Sequence, residues 1–510
     1  IRSVITGSSD LRIDQVGIPD HVACTIELPR IVTERNIDHM RMLVANGPNW
    51  PGCNYIKYRH QDENTRIRVT EQNRMELKIS PGDIVYRHLL DGDIVLLNRQ
   101  PTLVPSSISG LEAVILREKL TLQLNVGACV LFNADFDGDQ MNCIIPVSIP
   151  ACVSAKMTSN AARWIRSMTD SSIVIGAFQD SITALTELCL YNKPISAFDV
   201  SMMVAHRLDI KLDKKEYMPN EIISLVLPNI TLRAKSAWDP KQDLIIENGK
   251  MLQGILDKKN IGQGQANSIF YFIDKKYGSK ATMNFLYDLQ CIAKHFSMHV
   301  KPFTISMNDL LLNYQTHMDI KDEINSLFAK SRDIYEQARL GQIIPEGNKT
   351  IRDMVVEKSV GVLTQKKKLQ ELVYEKGVTD ENALKRMVRS GAKGKIENFL
   401  SMLGVIGQQT IDGKAFMNFL GDRVINSSLK YSCDPTERGY IVGNFSTGMN
   451  LIDARYSAAD CRSSFINNAL STADAGSQTR ILSKNLETCV SNYFGGVEFG
   501  GNTRRICQTM

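Results

Sequence analysis

The 510-residue sequence has no C-x-x-C pair, although it carries 11 cysteines. Their number is odd and their spacing irregular, from Cys24 and Cys53 to Cys489 and Cys507. A zinc ribbon and a disulfide framework are therefore not expected, and reduced thiols in an intracellular compartment fit best. No apolar run approaches the ~18 residues of a membrane span. The polar opening IRSVITGSSDLRIDQ has no signal-peptide core, so no membrane partner is expected. There is no internal repeat and no low-complexity tract. There is also little excess of either charge: 60 Lys+Arg face 55 Asp+Glu, a net +5. Such a balance permits a basic groove for nucleic acid without demanding one. With 43% hydrophobic and 23% charged residues, the chain is of ordinary globular composition and long enough for several domains. It starts at Ile1 and ends in GGNTRRICQTM without terminal logic, so a piece of a larger protein is expected.

The pattern changes along the chain. Residues 1–180 alternate short Val/Leu runs with Gly, Asp and Asn turns, as in DIVYRHLLDGDIVLLNRQP, which predicts a β-rich half with a barrel as one form. QDSITALTELCLYN reads as helix, and DLIIENGKMLQG as a hairpin turning at Asn248-Gly249. Residues 311–420 have helical spacing, with a Gly/Ser break inside TDENALKRMVRSGAKGKIENFLSML. Residues 450–490 hold no proline and one glycine, and predict a helix of ~35 residues, ~50 Å long. Helices of that length usually cross something rather than sit on one core. The fold class expected is α+β and multidomain.

One stretch concentrates chemistry. NADFDGDQMN, Asn133 to Asn142, sets Asp135, Asp137 and Asp139 at alternate positions. In an extended or tightly turned segment such side chains point to one side. Unpaired, they repel and raise one another's pKa; a hard divalent cation such as Mg²⁺ removes the conflict. Gly138 lets the backbone turn sharply enough to aim them inward. The plain alternative is a polar turn with solvated or capping aspartates. An EF-hand calcium loop does not fit, because counting from Asp135 puts Gln140 at position six and Pro146 at position twelve. SGAKGK (Ser390–Lys395) lacks phosphate-loop spacing, and GQGQ (Gly262–Gln265) is too short a signal for a dinucleotide site. The DKK runs at Asp257–Lys259 and Asp274–Lys276 read as solvated faces, whose lysines could also guide nucleotides.

NADFDGDQMN resembles the active-site signature of the largest subunit of multisubunit DNA-directed RNA polymerases. It does not stand alone. RSVITG, LRIDQVGIP, NGPNWPG and LLNRQPTL precede it in family order. GAFQDSITAL, NGKMLQGILDKKNIG, MVRSGAKGKIENFLSMLGVIGQQTIDGK and SSFINNALSTADAGSQTRIL follow, and the likeness is weakest around 195–245 and 310–380. The resemblance implies an active-site region with a double-psi β-barrel over 1–180 and a pore region over 181–320. A helical funnel over 321–447, a bridge helix over 448–486 and the start of a cleft region over 487–510 would follow.

The activity implied is nucleotidyl transfer. An RNA 3′-oxygen attacks the α-phosphate of a ribonucleoside triphosphate on a DNA template, and pyrophosphate leaves. By resemblance Asp135, Asp137 and Asp139 hold one Mg²⁺, and a second arrives with the nucleotide. Arg99 and Asn133 are similar to residues that recognise the ribose hydroxyls, and Pro101 supports the turn beneath Arg99. A salt bridge for Arg99, a turn role for Asn133 and a structural role for Pro101 are the alternatives. Thr472, Ala473 and Gly476 correspond to the small residues of the bridge helix that face the template base and nascent pair, with helix packing as the alternative. Partners implied are the second-largest and smaller polymerase subunits, template DNA, nascent RNA and ribonucleoside triphosphates. No zinc site is expected within these residues.

Val104 stands where many relatives have His, Gln140 where Glu is common, and Ser477 where Tyr is common. These departures point to a eukaryote-like but divergent lineage, for which a large DNA virus is a fitting source. The compartment would be the nucleus for a cellular enzyme, and the infected cytoplasm or virion for a viral one. Two rivals stay open: an RNA-templated polymerase with a D-x-D-G-D centre, and a non-catalytic scaffold that keeps the fold.

Overall fold

The computed structural model describes the chain except residues 61–64, 240–241, 345–349, 412, 415, 417–422, 426–427, 492–496, 500–504 and 508–510. For 491, 497–499 and 505–507 it describes the backbone alone. The chain divides into two compact units. One comprises Ile1–Thr304 with Arg386–Gly394, the other Ile305–Lys385 with Lys395–Met510.

In the first unit, strands follow one another as the turn signals predict. They are β1 (Arg2–Gly7), β2 (Gln15–Pro19), β3 (Leu28–Ile31), β4 (Cys53–Lys57), β5 (Ile67–Arg68), β6 (Ile84–Arg87), β7 (Ile94–Asn98), β8 (Ile108–Leu116), β9 (Leu122–Leu124) and β10 (Gln140–Ile144). Six of them close into a barrel in the order β1-β10-β7-β8-β2-β9. The remaining four form a sheet, β3-β6-β4-β5. Within the barrel β1–β9 and β2–β8 are parallel, and the other pairs antiparallel. Alternation along each strand fills the interior. On β10, Met141 and Cys143 are buried while Gln140 and Ile144 are exposed. Ile5, Val16, Val95, Leu97, Leu111 and Leu124 join them in one core.

That core continues into helices. Asp180–Leu190 and Ser279–His295 bury Leu185, Leu188, Leu286, Leu289 and Ile292. The hairpin expected at Asn248-Gly249 is present, joining Asp243–Glu247 to Lys250–Gln253. Both turn residues have positive φ, 49° and 77°, as a two-residue hairpin turn requires.

The DKK runs need correction. Their lysines are exposed, but Asp257 and Asp274 are buried. Asp257 caps a short helix by accepting from the Asn260 amide at 3.1 Å, and also accepts from the Ser236 hydroxyl at 2.7 Å. Asp274 accepts from Arg166 and from the Ser279 hydroxyl. A buried carboxylate is tolerable because donors replace its water.

The second unit is mainly helical. Tyr314–Arg339 packs on Ile351–Leu363, where Ser331 and Ser359 share a buried hydrogen bond at 2.7 Å. The expected Gly/Ser break, Ser390 to Gly394, is counted with the first unit and falls between helices Ala383–Arg389 and Ile396–Leu403. The long helix expected over 450–490 runs from Leu451 to Leu486, 36 residues. That is about 54 Å at 1.5 Å per residue. Asn450 caps its start by accepting from the Asp453 amide at 2.8 Å. Tyr456 is its one buried residue, seated against Phe416 in the unit's core. No helix among the described residues is long and apolar enough to cross a membrane.

Candidate active site

The acidic segment is held at both ends by apolar anchors. Before it, helix Cys129–Phe132 buries Leu131 and Phe132. Asn133 ends that helix in the left-handed conformation, φ 49° and ψ 45°, which asparagine tolerates better than most residues. After it, Met141 on β10 is buried in the barrel. Between the anchors Gly138 adopts φ 120°, so glycine is the residue the turn requires.

This loop gathers the three aspartates. One oxygen from each of Asp135, Asp137 and Asp139 lies within 4.8 Å of the others. Asp135 and Asp137 are exposed and Asp139 half-buried. Hard carboxylate oxygens this close, partly open to solvent, fit a Mg²⁺ ion that keeps ligands from water or substrate. The three carboxylates are not equivalent. A hydrogen bond with Asp137 pushes Asp135 above the ordinary carboxylate range, and the charges of Asp137 and Asp139 add to it. Asp139 is held below that range, first by its hydrogen bond from Arg99.

Arg99 follows β7, which pairs with β10 at Asn98↔Asn142. The register carries it to the acidic loop, where its Nε donates to Oδ2 of Asp139 at 2.7 Å. The salt-bridge alternative weighed for Arg99 is thus present. Its Nη groups make no other hydrogen bond among the described residues and stay available. Pro101 is exposed and follows a cis peptide bond from Gln100. Gln140 accepts from Arg2 Nε at 2.9 Å.

Asn133, Asp135 and Phe136 line a cleft of about 640 Å³, with Phe178, Gln179 and Lys294 among the residues around it. Neither Arg99 nor Pro101 lines this cleft. Burial pushes the Cys129 thiol at its wall up to about 12, so that group stays neutral beside the carboxylates. Buried Asn125 braces the wall: its Nδ2 donates to Leu11 O at 2.7 Å and to Gln290 Oε1 at 2.9 Å. Gln179 holds φ 38° and ψ −105°, a conformation L residues rarely adopt. Asn125, Phe136, Gln179 and Lys294 were not singled out from the sequence. GAFQDSITAL carried a family signal around Gln179, but no local pattern announces a cleft wall.

Thr472, Ala473 and Gly476 lie in the second unit, on the helix Leu451–Leu486. Thr472 and Gly476 are one turn apart and share a face. All three are exposed, and a methyl added at Gly476 would meet nothing within 4 Å. Packing within the described residues therefore does not account for their small size.

Consecutive family models match the chain: RNA polymerase Rpb1, domain 2, over residues 1–160, domain 3 over 164–310 and domain 4 over 334–441. The chain belongs to the Rpb1 family. Similar curated proteins are the DNA-directed RNA polymerase RPB1 homologs of African swine fever virus, from the Kenyan pig isolate KEN-50 and the Badajoz strain. Each is 28% identical over 536 aligned residues, covering 99% of this chain. The chain spans 37% of the length of these relatives. The Rpb1 domain 2 match contains the acidic loop, Arg99, Pro101 and Asn133. Thr472, Ala473 and Gly476 lie past the last Rpb1 domain match, within the stretch aligned to the viral homologs.

Proposed function

We propose that this chain supplies the catalytic centre of a DNA-directed RNA polymerase largest subunit. The observation that carries the proposal is the convergence of Asp135, Asp137 and Asp139 within 4.8 Å, on a closed barrel in an Rpb1-family chain. On this reading the barrel is the family's double-psi barrel and Leu451–Leu486 the bridge helix. The regions expected over 1–180, 181–320, 321–447, 448–486 and 487–510 keep their assigned roles.

Asp135, Asp137 and Asp139 would hold one Mg²⁺, and Asp135 or Asp137 would meet a second brought by the nucleotide. Bound there, the metal supplies charge stabilisation for the attacking 3′-oxygen and the crowded α-phosphate. The protein's own part is placement. Gly138 and the buried anchors fix the loop, so the carboxylates need no rearrangement during the reaction. Asn133 and the free Nη edge of Arg99 offer hydrogen bonds to ribose hydroxyls. A deoxy analogue leaves those groups unpaired, which is the source of discrimination. Thr472, Ala473 and Gly476 present a low surface on which a base pair can rest.

The second-largest and smaller polymerase subunits, template DNA and nascent RNA complete the assembly in this proposal, and the reaction belongs to the assembly. The viral relatives favour the cytoplasm of an infected cell as its setting. An RNA-templated polymerase would use the same carboxylates; three successive Rpb1 domain matches favour the DNA template. The test is primer extension by the assembled polymerase on matched DNA and RNA templates. Mg²⁺-dependent ribonucleotide addition on DNA is expected, and equal or better extension on RNA would defeat the DNA-directed assignment.

A further inference from the structure

Arg99 uses its Nε donor on Oδ2 of Asp139 at 2.7 Å. The same Oδ2 accepts the backbone amide of Asp135 at 3.3 Å. Two donors thus converge on one oxygen. The contact is sheltered: the Arg99 and Asp139 side chains are only 20% and 22% exposed. The arginine backbone is fixed as well. Its amide donates to Ser107 O at 3.3 Å, and the preceding Asn98 is paired with Asn142 of β10.

We infer that Arg99 is a positioning residue for the metal site, holding Oδ2 of Asp139 so that Oδ1 is presented to the cation. Its Nη edge remains free for ribose. One guanidinium then ties the geometry of a metal ligand to the reading of the sugar. This rests on the polymerase proposal and adds to it. Outer hydrogen bonds of this kind orient ligands, and their loss typically weakens metal binding about 10–100-fold. Plain electrostatics predicts the opposite sign: a guanidinium near a divalent ion repels it, so removing Arg99 would tighten binding.

The experiment is Mn²⁺ binding to the nucleotide-free assembled polymerase, read by electron paramagnetic resonance. Arg99→Gln is expected to weaken binding at the aspartates by about tenfold or more. Arg99→Lys keeps the charge but lacks the flat Nε–H, and is expected to weaken it too. Asn133→Gly keeps the left-handed turn, removes only the proposed sugar contact and should leave Mn²⁺ affinity unchanged. Wild-type or tighter binding in Arg99→Gln overturns the inference, as does equal weakening in Asn133→Gly. If Asp137→Ala retains full Mn²⁺ binding, the polymerase site itself is misplaced, so the two failures are distinguishable.

Discussion

The amide of Asp135 donates to the Asp139 carboxylate at 3.3 Å, which closes the acidic loop on itself. Gly138 makes the closure possible at φ 120°, with open space around its missing Cβ. Gly138→Ala therefore meets no steric obstacle and acts on the backbone alone. A residue with a side chain held at such an angle is strained by about 1–3 kcal/mol. The loop is expected to relax and the carboxylates to separate. Primer extension by the assembled polymerase should fall roughly ten- to hundredfold, at 1.36 kcal/mol per decade. The chain's thermal unfolding should barely change. Unchanged extension would show that carboxylate spacing does not depend on this turn.

Asp137 is exposed, at the tip of the same loop. Asp137→Ala removes a carboxylate from the metal cluster without opening the core. Metal-assisted charge stabilisation is worth several kcal/mol, so extension should drop by about three orders of magnitude. Subunit assembly, checked by size-exclusion chromatography, should be retained. Substantial residual extension would contradict a ligand role.

His206 provides a pH prediction away from the site. Its Nε2 bonds Oδ1 of the buried Asp288 at 2.7 Å, and Arg207 takes the other oxygen at 2.7 Å. The Asp288 bond raises His206 to about 9, against about 6.5 for a free imidazole. Folding thus favours the protonated form. That contribution is fully present below pH ~6.5 and fades as pH rises through about 9. Buried thiols such as Cys53 and Cys129, both pushed up to about 12, add their own loss above pH ~8.5. The informative quantity is therefore a difference. Urea midpoints of wild type and His206→Gln should differ most below pH 6.5 and converge toward pH 9 and above. Parallel curves would refute the pairing.

Local signals in the sequence carried far. Val/Leu runs between turn residues marked the strands, Asn248-Gly249 marked its hairpin, and a proline-free stretch marked the 36-residue helix. Asp135, Asp137 and Asp139 stood out because they are close in the chain as well as in space. What escaped is non-local. Arg99 reaches Asp139 across 40 positions because β7 lies beside β10, a pairing no single segment reveals. Asp257 looked like part of a solvated charge run. Its burial is set by donors from Ser236, Ala237 and Trp238, about twenty residues away. Gln179 lies in a family-like segment, but no local pattern announces its positive φ of 38°.

Asn133 allows backbone and side chain to be tested apart. Its left-handed conformation, φ 49°, ends a helix and starts the acidic loop. Most substitutions there would disturb the loop and confuse any effect on substrate choice. Glycine adopts this conformation freely, so Asn133→Gly keeps the turn and removes only the exposed amide. If that amide reads the ribose, the preference for ribo- over deoxyribonucleotides should shrink. Leaving a polar substrate group unpaired costs about 1–3 kcal/mol, or roughly a five- to hundredfold loss of discrimination. The effect should fall on kcat/KM for the ribonucleotide, with the deoxyribonucleotide value nearly constant. If both values fall together, Asn133 shapes the loop and does not read the sugar.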